Sequence, residues 1–156
     1  MKKILFTLFL TALISANGLA QEKLIWHTDV NAALEIAINE NKKVMLFFTG
    51  SDWCGWCTKL QNEVFRTSEF EKWSNDMVLV ELDFPRRTPQ EEKLKVQNRQ
   101  LQAMFKVRGY PSVYFVNPEK MPDVKMNLNN LGKTGYVRGG ASKWLEAANS
   151  IVKKTI

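Results

Sequence analysis

The sequence contains little cysteine and almost no histidine: two cysteines and one histidine among 156 residues. A Cys₄, Cys₃His or Cys₂His₂ metal site needs more of these residues than one chain supplies, so no zinc site of this kind is predicted within the chain. A small scaffold held by several disulfides is also excluded, because such scaffolds carry more cysteines in a shorter chain. The two cysteines therefore act as a pair or singly.

The chain also lacks internal repeats, low-complexity tracts and Gly/Ser linkers, which indicates a single folded domain. Its composition, 45% hydrophobic and 24% charged, excludes a disordered protein and a polytopic membrane protein. Lys and Arg outnumber Asp and Glu by 22 to 16. The basic residues are scattered and form no single stripe, so we expect a solvated surface and no binding to nucleic acid.

The first twenty residues have the three-part pattern of a secretory signal peptide. Met1-Lys2-Lys3 is positively charged, Ile4–Ile14 is mostly apolar, and small residues lead to Ala20. The apolar segment is too short to span a hydrocarbon core of about 30 Å at roughly 1.5 Å per residue. We therefore predict cleavage after Ala20, a mature domain of residues 21–156 and a periplasmic or secreted location.

Strand and helix patterns alternate along this domain. After a short predicted strand at Leu24–Trp26, Thr28 or Asp29 is expected to cap an amphipathic helix. The continuous apolar run Val44–Phe48 is typical of a strand buried on both faces, and Met77–Phe84 is a second apolar run that Glu81 and Asp83 interrupt. The alternation predicts an α/β fold with helices on both faces of a sheet.

The later element boundaries are predicted from capping and turn residues. Thr88-Pro89-Gln90-Glu91 has the pattern of a capping box, which predicts a helix that begins at Pro89. A strand that begins at Ser112 is expected to end at Asn117-Pro118, and a loop is expected to follow up to Leu131. Thr134–Arg138 is expected to be the edge strand of an antiparallel hairpin, and Ser142 to cap the last helix.

The two cysteines belong to the motif Trp53-Cys54-Gly55-Trp56-Cys57, between a buried strand and a helix. Their spacing brings the two sulfurs within bonding distance on the first helical turn. The first sulfur faces the free N–H groups of the helix start, which stabilise a thiolate, so Cys54 is predicted to be a nucleophile with a lowered pKa. Cys57, one turn further and on the apolar side, is predicted to resolve the mixed disulfide.

Three other interpretations of the motif remain open from the residues alone. The pair is half of a zinc site that a second chain completes. Alternatively it is a static disulfide, although so short a loop stabilises a fold only weakly. In the third interpretation the domain is a binding module for unfolded or partner polypeptides, and its cysteines are incidental.

The segment Phe47–Cys57 resembles the active-site strand and loop of the thioredoxin superfamily. Gly109-Tyr110-Pro111, just before the strand at Ser112, matches a second motif of that family. The resemblance spans about residues 24–153. It is greatest to exported thioredoxin-like proteins related to the C-terminal domain of the transmembrane protein that reduces periplasmic substrates. It implies a three-layer α/β/α sandwich whose central mixed sheet ends in an antiparallel hairpin, and a cis Pro111 against the cysteine pair.

The resemblance also implies a function: a reductase or isomerase of protein disulfides that needs no cofactor and no metal. Its expected partners are disulfide-containing exported proteins and a membrane electron donor. A monomer is expected, because the dimerisation domain of isomerases is absent. Gly55-Trp56 places no histidine between the cysteines, which favours a reductase or isomerase over a strong oxidant.

The remaining site predictions concern substrate binding and proton transfer. Trp53, Trp56 and Tyr110 are predicted to form an aromatic rim around Cys54 that holds an extended polypeptide, with backbone beside Pro111 pairing with it as an added strand. For Trp53, packing against the motif is an alternative role. Thioredoxins have a buried aspartate where this chain has Phe48, so Glu81 in the next central strand is the candidate for proton transfer. The alternative is that Glu81 faces water at a strand end.

Overall fold

The computed structural model describes residues 24–120 and 126–153. The predicted signal peptide, residues 1–20, lies outside these ranges. Within them the chain forms five strands and five α-helices. The strands are β1 (Trp26–His27), β2 (Lys43–Thr49), β3 (Met77–Asp83), β4 (Ser112–Lys120) and β5 (Met126–Thr134), and the helices are α1 (Val30–Asn39), α2 (Gly55–Leu60), α3 (Ser68–Ser74), α4 (Glu92–Met104) and α5 (Gly140–Val152).

The strands form one mixed sheet in the order β1-β3-β2-β4-β5. β3 runs parallel to both β1 and β2, β4 is antiparallel to β2, and β5 is antiparallel to β4. The predicted mixed sheet that ends in an antiparallel hairpin is therefore confirmed, with β4 and β5 as the hairpin.

Helices cover both faces of the sheet, as predicted. α1 and α4 pack with Val44, Leu46 and Phe48 of β2, whereas α2, α3 and α5 pack with Met45 and Phe47. Since alternate residues of a strand point to opposite faces, the run Val44–Phe48 is apolar throughout because both faces are buried. In the described part of the chain, no helix has the length and apolar character needed to cross a membrane.

The strand ends define the edge at which the cysteines lie. Thr49 at the end of β2 pairs with Asp83 at the end of β3, and Ser112 at the start of β4 pairs with Phe48. We call this the cysteine edge, because residues 50–57 follow directly from it. Lys43 and Met77, which pair at the starts of β2 and β3, mark the opposite edge.

The predicted start of α4 is wrong. The helix begins at Glu92 with Glu91 as its N-cap, so Thr88 is not the cap and residues 88–91 form no capping box. Asp52 provides the reason, since its carboxylate accepts the backbone N–H of Thr88 at 2.8 Å. That contact holds residue 88 against the loop before Cys54 instead of at a helix start.

The predictions for the C-terminal hairpin also need correction. β4 continues through Asn117-Pro118 to Lys120, and β5 spans Met126–Thr134 where a loop was expected up to Leu131 and a strand only from Thr134. Pro118 is tolerated because β4 pairs with β2 only as far as Val116, so beyond that point its other side is an edge where no N–H is needed.

Two smaller boundaries differ by one to three residues. The first strand is present but occupies Trp26–His27 instead of Leu24–Trp26. Gly139, at a φ of 113°, is the N-cap of α5, so Ser142 lies inside the helix and does not cap it. By contrast Asp29 caps α1 as predicted, since its side chain accepts hydrogen bonds from the backbone of Asn31 and Ala32.

Candidate active site

Cys54 and Cys57 are joined by a disulfide, with their sulfurs 2.07 Å apart and their Cα atoms 5.2 Å apart. Cys54 has extended backbone and is the N-cap of α2, and its Sγ accepts the backbone N–H of Cys57 at 3.2 Å. The first sulfur therefore lies at the start of the helix, where unpaired N–H groups favour negative charge. This is the geometry that the spacing of the motif predicts.

The two sulfur-bearing residues differ in burial. Cys54 retains 7% of its surface exposed, whereas Cys57 retains 1%. Cys57 packs with Leu60 of α2 and with Val64 in the π-helical turn Gln61–Phe65 that follows it. Of the two, Cys54 is the one that a second disulfide can approach.

The loop before Cys54 is packed around the Trp53 indole. Trp53 Nε1 donates a hydrogen bond to the carbonyl oxygen of Phe84 at 2.8 Å. The ring lies so close to Gly50 that a Cβ built there would stand 2.3 Å from Cε2 of the indole. Only glycine leaves room for the indole at position 50. Trp53 therefore packs against the loop of the motif, which is the alternative role considered for it.

Asp52 connects this loop to the segment that follows β3. Its carboxylate accepts the backbone N–H groups of Arg86, Arg87 and Thr88 at 3.0, 2.7 and 2.8 Å. The Arg87 guanidinium in turn donates to the carbonyl oxygen of Asp52. These backbone hydrogen bonds, that of Arg86 first, hold the pKa of the Asp52 carboxyl well below its usual range. Sequence reasoning missed this residue, because an aspartate in a turn has an ordinary local explanation.

The Trp53 ring contacts a cation and another aromatic ring. The Arg86 guanidinium carbon is 3.7 Å from the centroid of the indole, a cation–π contact. The Tyr110 ring meets the same indole edge-on, with centroids 5.5 Å apart. The predicted grouping of Trp53 with Tyr110 is thus present, and Arg86 is a third member that the sequence did not indicate.

The peptide bond between Tyr110 and Pro111 is cis, as the family resemblance implies. The Tyr110 hydroxyl accepts a hydrogen bond from Gln102 Nε2 at 2.6 Å, and burial raises the pKa of this tyrosine. A Cβ on Gly135 would lie 3.2 Å from the carbonyl oxygen of Pro111. The chain after β5 therefore runs directly beside Pro111.

Trp56 lies in a different aromatic group from Trp53. It is 56% exposed, and its ring centroid is 5.1 Å from that of Tyr136. Lys59 Nζ stands 5.1 Å from the Trp56 centroid, and the Tyr136 hydroxyl donates to Glu63 at 2.6 Å. Tyr136 was predicted only as an edge-strand residue. The predicted rim thus consists of two separate groups, one around Trp53 and one around Trp56.

Glu81 is half-buried and lies two residues before the end of β3. It pairs with Phe47 and so lies on the face of the sheet that carries the cysteines. Burial, and then the charge of Asp83, raises the pKa of its carboxyl. It lines a polar cavity of about 270 Å³ with Ser51, Asp83 and Asn98.

Two other polar groups at this edge have clear positions. Asp83 accepts hydrogen bonds from the backbone and the hydroxyl of Ser51 at 2.8 and 2.6 Å, which fixes the first residues of the loop. The Thr49 hydroxyl is buried and has no hydrogen-bond partner among the described residues. Phe48, which replaces the usual aspartate, packs against Phe105 and Tyr114 on the other face of the sheet.

Comparisons with known proteins agree with this geometry. Residues 30–120 match the thioredoxin-like domain family. The disulfide bond reductase DsbH of Chlamydia pneumoniae is 33% identical over 136 residues, which cover 86% of this chain and 76% of that protein. A solved DsbH oxidoreductase superposes with a TM-score of 0.75 at 32% identity, covering 92% of this chain and 94% of that one.

A more distant structure shares the fold. The oxidised C-terminal domain of DsbD from Neisseria meningitidis is 20% identical, with a TM-score of 0.51 over 81% of this chain and 98% of that domain. The family match covers more than half of the chain, and the identity to DsbH extends over most of both proteins. The chain therefore belongs to the thioredoxin-like family and is a thiol–disulfide oxidoreductase whose redox pair is Cys54 and Cys57.

Proposed function

We propose that the protein is exported and reduces disulfides in other exported proteins, with Cys54 as the nucleophile and Cys57 as the resolving cysteine. The observation that carries the proposal is the asymmetry of the pair. Cys54 Sγ accepts an N–H at the start of α2, whereas Cys57 is almost fully buried behind it. The pattern of residues 1–20 supports export, and a relative named as a disulfide bond reductase supports the direction.

The reaction begins with the reduced protein. The Cys54 thiolate attacks one sulfur of a substrate disulfide, the S–S bond breaks, and the released substrate thiolate takes a proton. Cys57 then loses its proton and attacks the Cys54 sulfur of the mixed disulfide. The second substrate thiol leaves, and the Cys54–Cys57 disulfide forms, so two electrons have passed to the substrate.

Each cycle leaves the protein in the oxidised form, so it needs a two-electron donor. A membrane dithiol protein that faces the same compartment supplies this chemistry by the same exchange in reverse. Cys54, which keeps more exposed surface than Cys57, is the sulfur that such a donor would attack.

Glu81 is the proposed proton acceptor for Cys57. Burial raises the pKa of the Glu81 carboxyl toward the pKa of a thiol, and a smaller difference between the two pKa values suits proton transfer. The polar cavity that it lines gives the carboxyl a route for exchanging the proton with water. The proposal assigns it this role in the second step only, when Cys57 must become a thiolate.

The exposed Trp56 is proposed to contact the substrate polypeptide. A large apolar side chain that is 56% exposed beside the redox pair offers an anchor for an apolar residue of an unfolded chain. Backbone groups beside Pro111 would pair with the same chain as an added strand.

The reduction potential of the Cys54–Cys57 pair tests the proposed direction. Equilibration against glutathione, followed by tryptophan fluorescence, gives this value. A reductase is expected near the potential of thioredoxin, about −270 mV. A value between about −180 and −120 mV would instead identify an isomerase or an oxidant.

Substitution of each cysteine tests the assigned roles. Cys57→Ser is expected to accumulate a mixed disulfide with substrate through Cys54, visible on a non-reducing gel and located by mass spectrometry. Cys54→Ser is expected to trap none, because Cys57 is buried. Trapping through Cys57 instead would reverse the roles.

A further inference from the structure

We propose that Arg86 and Arg87 bind an acidic segment of the substrate polypeptide next to its disulfide. We call residues 85–88 the arginine strap. The inference rests on the proposed function, because it names the class of polypeptide that the reductase acts on.

The strap is held in a fixed place relative to the redox pair. Asp52 accepts three successive backbone N–H groups, those of residues 86–88. The Arg87 side chain returns to the backbone carbonyl of Asp52. Since Asp52 lies two residues before Cys54, an ordered hydrogen-bond network joins the strap to the loop that carries the nucleophile.

The charged groups of the strap reach the surface beside Cys54. Arg86 and Arg87 are both exposed. The Arg86 guanidinium lies on the face of Trp53, the residue directly before Cys54. Stacking on an aromatic ring orients a guanidinium but leaves its N–H edges free to bind carboxylates.

The neighbouring carboxylates are bonded to other groups and do not pair with the Arg86 guanidinium. Asp52 directs both oxygens at the strap backbone, and Asp83 is occupied by Ser51. Arg108, exposed two residues before Tyr110, adds a further cation to the loop that precedes Pro111. The side of Cys54 that carries Trp53 therefore presents the guanidinium groups of Arg86 and Arg87 at the surface. The other side presents the exposed ring of Trp56.

A polypeptide that suits this surface has aspartate or glutamate on one side of its disulfide. Exposed charges of this kind increase the rate of encounter and are screened by salt, with a Debye length of about 30 Å at 0.01 M and about 3 Å at 1 M. Binding is therefore expected to favour acidic peptides at low salt and to lose the preference at high salt.

The first arm of the test measures binding without any redox reaction. Three fluorescein-labelled peptides share one sequence with serine in place of cysteine and carry glutamate, glutamine or lysine at two flanking positions. Their dissociation constants for the oxidised protein are measured by anisotropy. We expect the glutamate peptide to bind about tenfold more tightly than the lysine peptide at low salt, and within about twofold at 1 M salt.

Variants locate the effect. Arg86→Gln/Arg87→Gln is expected to remove the preference for the glutamate peptide. Lys72→Gln/Lys153→Gln loses the same charge at the opposite edge, where Trp73 and Asn149 join α3 to α5, and is expected to keep the preference. Equal binding of the three peptides to the unsubstituted protein, or an unchanged preference in the arginine variant, would overturn the proposal.

The second arm separates this inference from the proposed function. The same peptides, now with an intramolecular disulfide, are mixed with the reduced protein and the rate of reduction is followed. Faster reduction of the glutamate peptide supports both proposals. Preferential binding of the glutamate peptide without reduction of any peptide would support binding by the arginine strap and overturn the proposed reductase function. Reduction of all peptides at one rate, together with equal binding, would support the proposed reductase function and overturn binding by the arginine strap.

Discussion

Gly50 and Trp53 fit together so closely that a single added methyl group would overlap the indole. A Cβ at position 50 would stand 2.3 Å from Cε2 and 2.5 Å from Nε1 of Trp53. The indole cannot move away freely, because Arg86 lies on its face and its Nε1 donates to Phe84. The loop before Cys54 is thus set by packing as well as by hydrogen bonds.

Gly50→Ala is therefore expected to destabilise the oxidised protein by about 1–3 kcal/mol, the usual effect of overpacking a filled site. Urea unfolding followed by tryptophan fluorescence measures it. Gly55→Ala is the matched control, since a Cβ there meets nothing within 4 Å and the position is helical. If the Gly50→Ala and Gly55→Ala proteins have the same free energy of unfolding, the Trp53 indole moves aside at little energetic cost.

The sequence predicted the sheet because its central strands are buried on both faces. A run such as Val44–Phe48 has no polar residue for a surface, so it fits few positions other than a covered strand. The motif at Cys54 and Cys57 was equally clear, because its chemistry depends on local spacing. Those features needed no information from distant parts of the chain.

The parts that were not predicted depend on distant contacts. Asp52 meets its partners 34 to 36 residues later, so its role has no local pattern. The same contact explains why Thr88 does not cap α4. The β5 segment is rich in asparagine, and its two leucines are three residues apart, which breaks the two-residue period of a strand. It becomes a strand by pairing with β4 through an irregular register, so that Leu128 packs on one face of the sheet and Leu131 on the other.

Trp56→Ala is expected to lower kcat/KM for an unfolded protein disulfide by about tenfold, the effect of removing an aromatic anchor. The reduction potential and the rate with a small disulfide such as glutathione disulfide are expected to stay unchanged, because neither depends on binding of a polypeptide. Ile25→Ala removes another exposed apolar side chain, 71% exposed and far from the cysteine edge, and serves as the control. Equal losses in the two variants would remove Trp56 from the substrate site.

The raised pKa of Glu81 predicts that the folded protein loses stability as the pH rises. Its pKa is raised in the folded protein, so between the ordinary value of 4.5 and the raised one the folded state holds the proton more often than the unfolded state. The free energy of unfolding therefore falls as the pH increases through this range. Glu81→Gln cannot lose a proton, so its stability relative to the unsubstituted protein is expected to increase from pH 4 upwards. Glu35→Gln, exposed on α1, is the control for the loss of one carboxylate.

The same variant tests the proton-transfer role by kinetics. Resolution of a preformed mixed disulfide is expected to be at least about tenfold slower in Glu81→Gln, whereas attack by Cys54 on the substrate keeps its rate. A merely structural role would change stability without separating the two steps. Equal rates of resolution in the variant and the unsubstituted protein would exclude Glu81 as the base.

The lowered pKa of Asp52 predicts the opposite dependence of stability on pH. Its pKa is lowered because the folded protein donates three backbone N–H groups to the charged form. The resulting stabilisation is complete above the ordinary value of 3.8 and is lost as the pH falls through the lowered one. Asp52→Asn is therefore expected to be less stable than the unsubstituted protein at pH 7, with the difference shrinking below about pH 4.

Hydrogen exchange shows whether this loss arises in the arginine strap. The amides of Arg86, Arg87 and Thr88 are expected to exchange about tenfold faster in Asp52→Asn, because an amide side chain replaces one acceptor oxygen with a donor. Asp76→Asn, an exposed aspartate just before β3 at the opposite edge, leaves these amides untouched. Unchanged exchange at all three positions in Asp52→Asn would mean that the strap holds its place without the carboxylate. The position of Arg86 would then have to come from its contact with Trp53 alone.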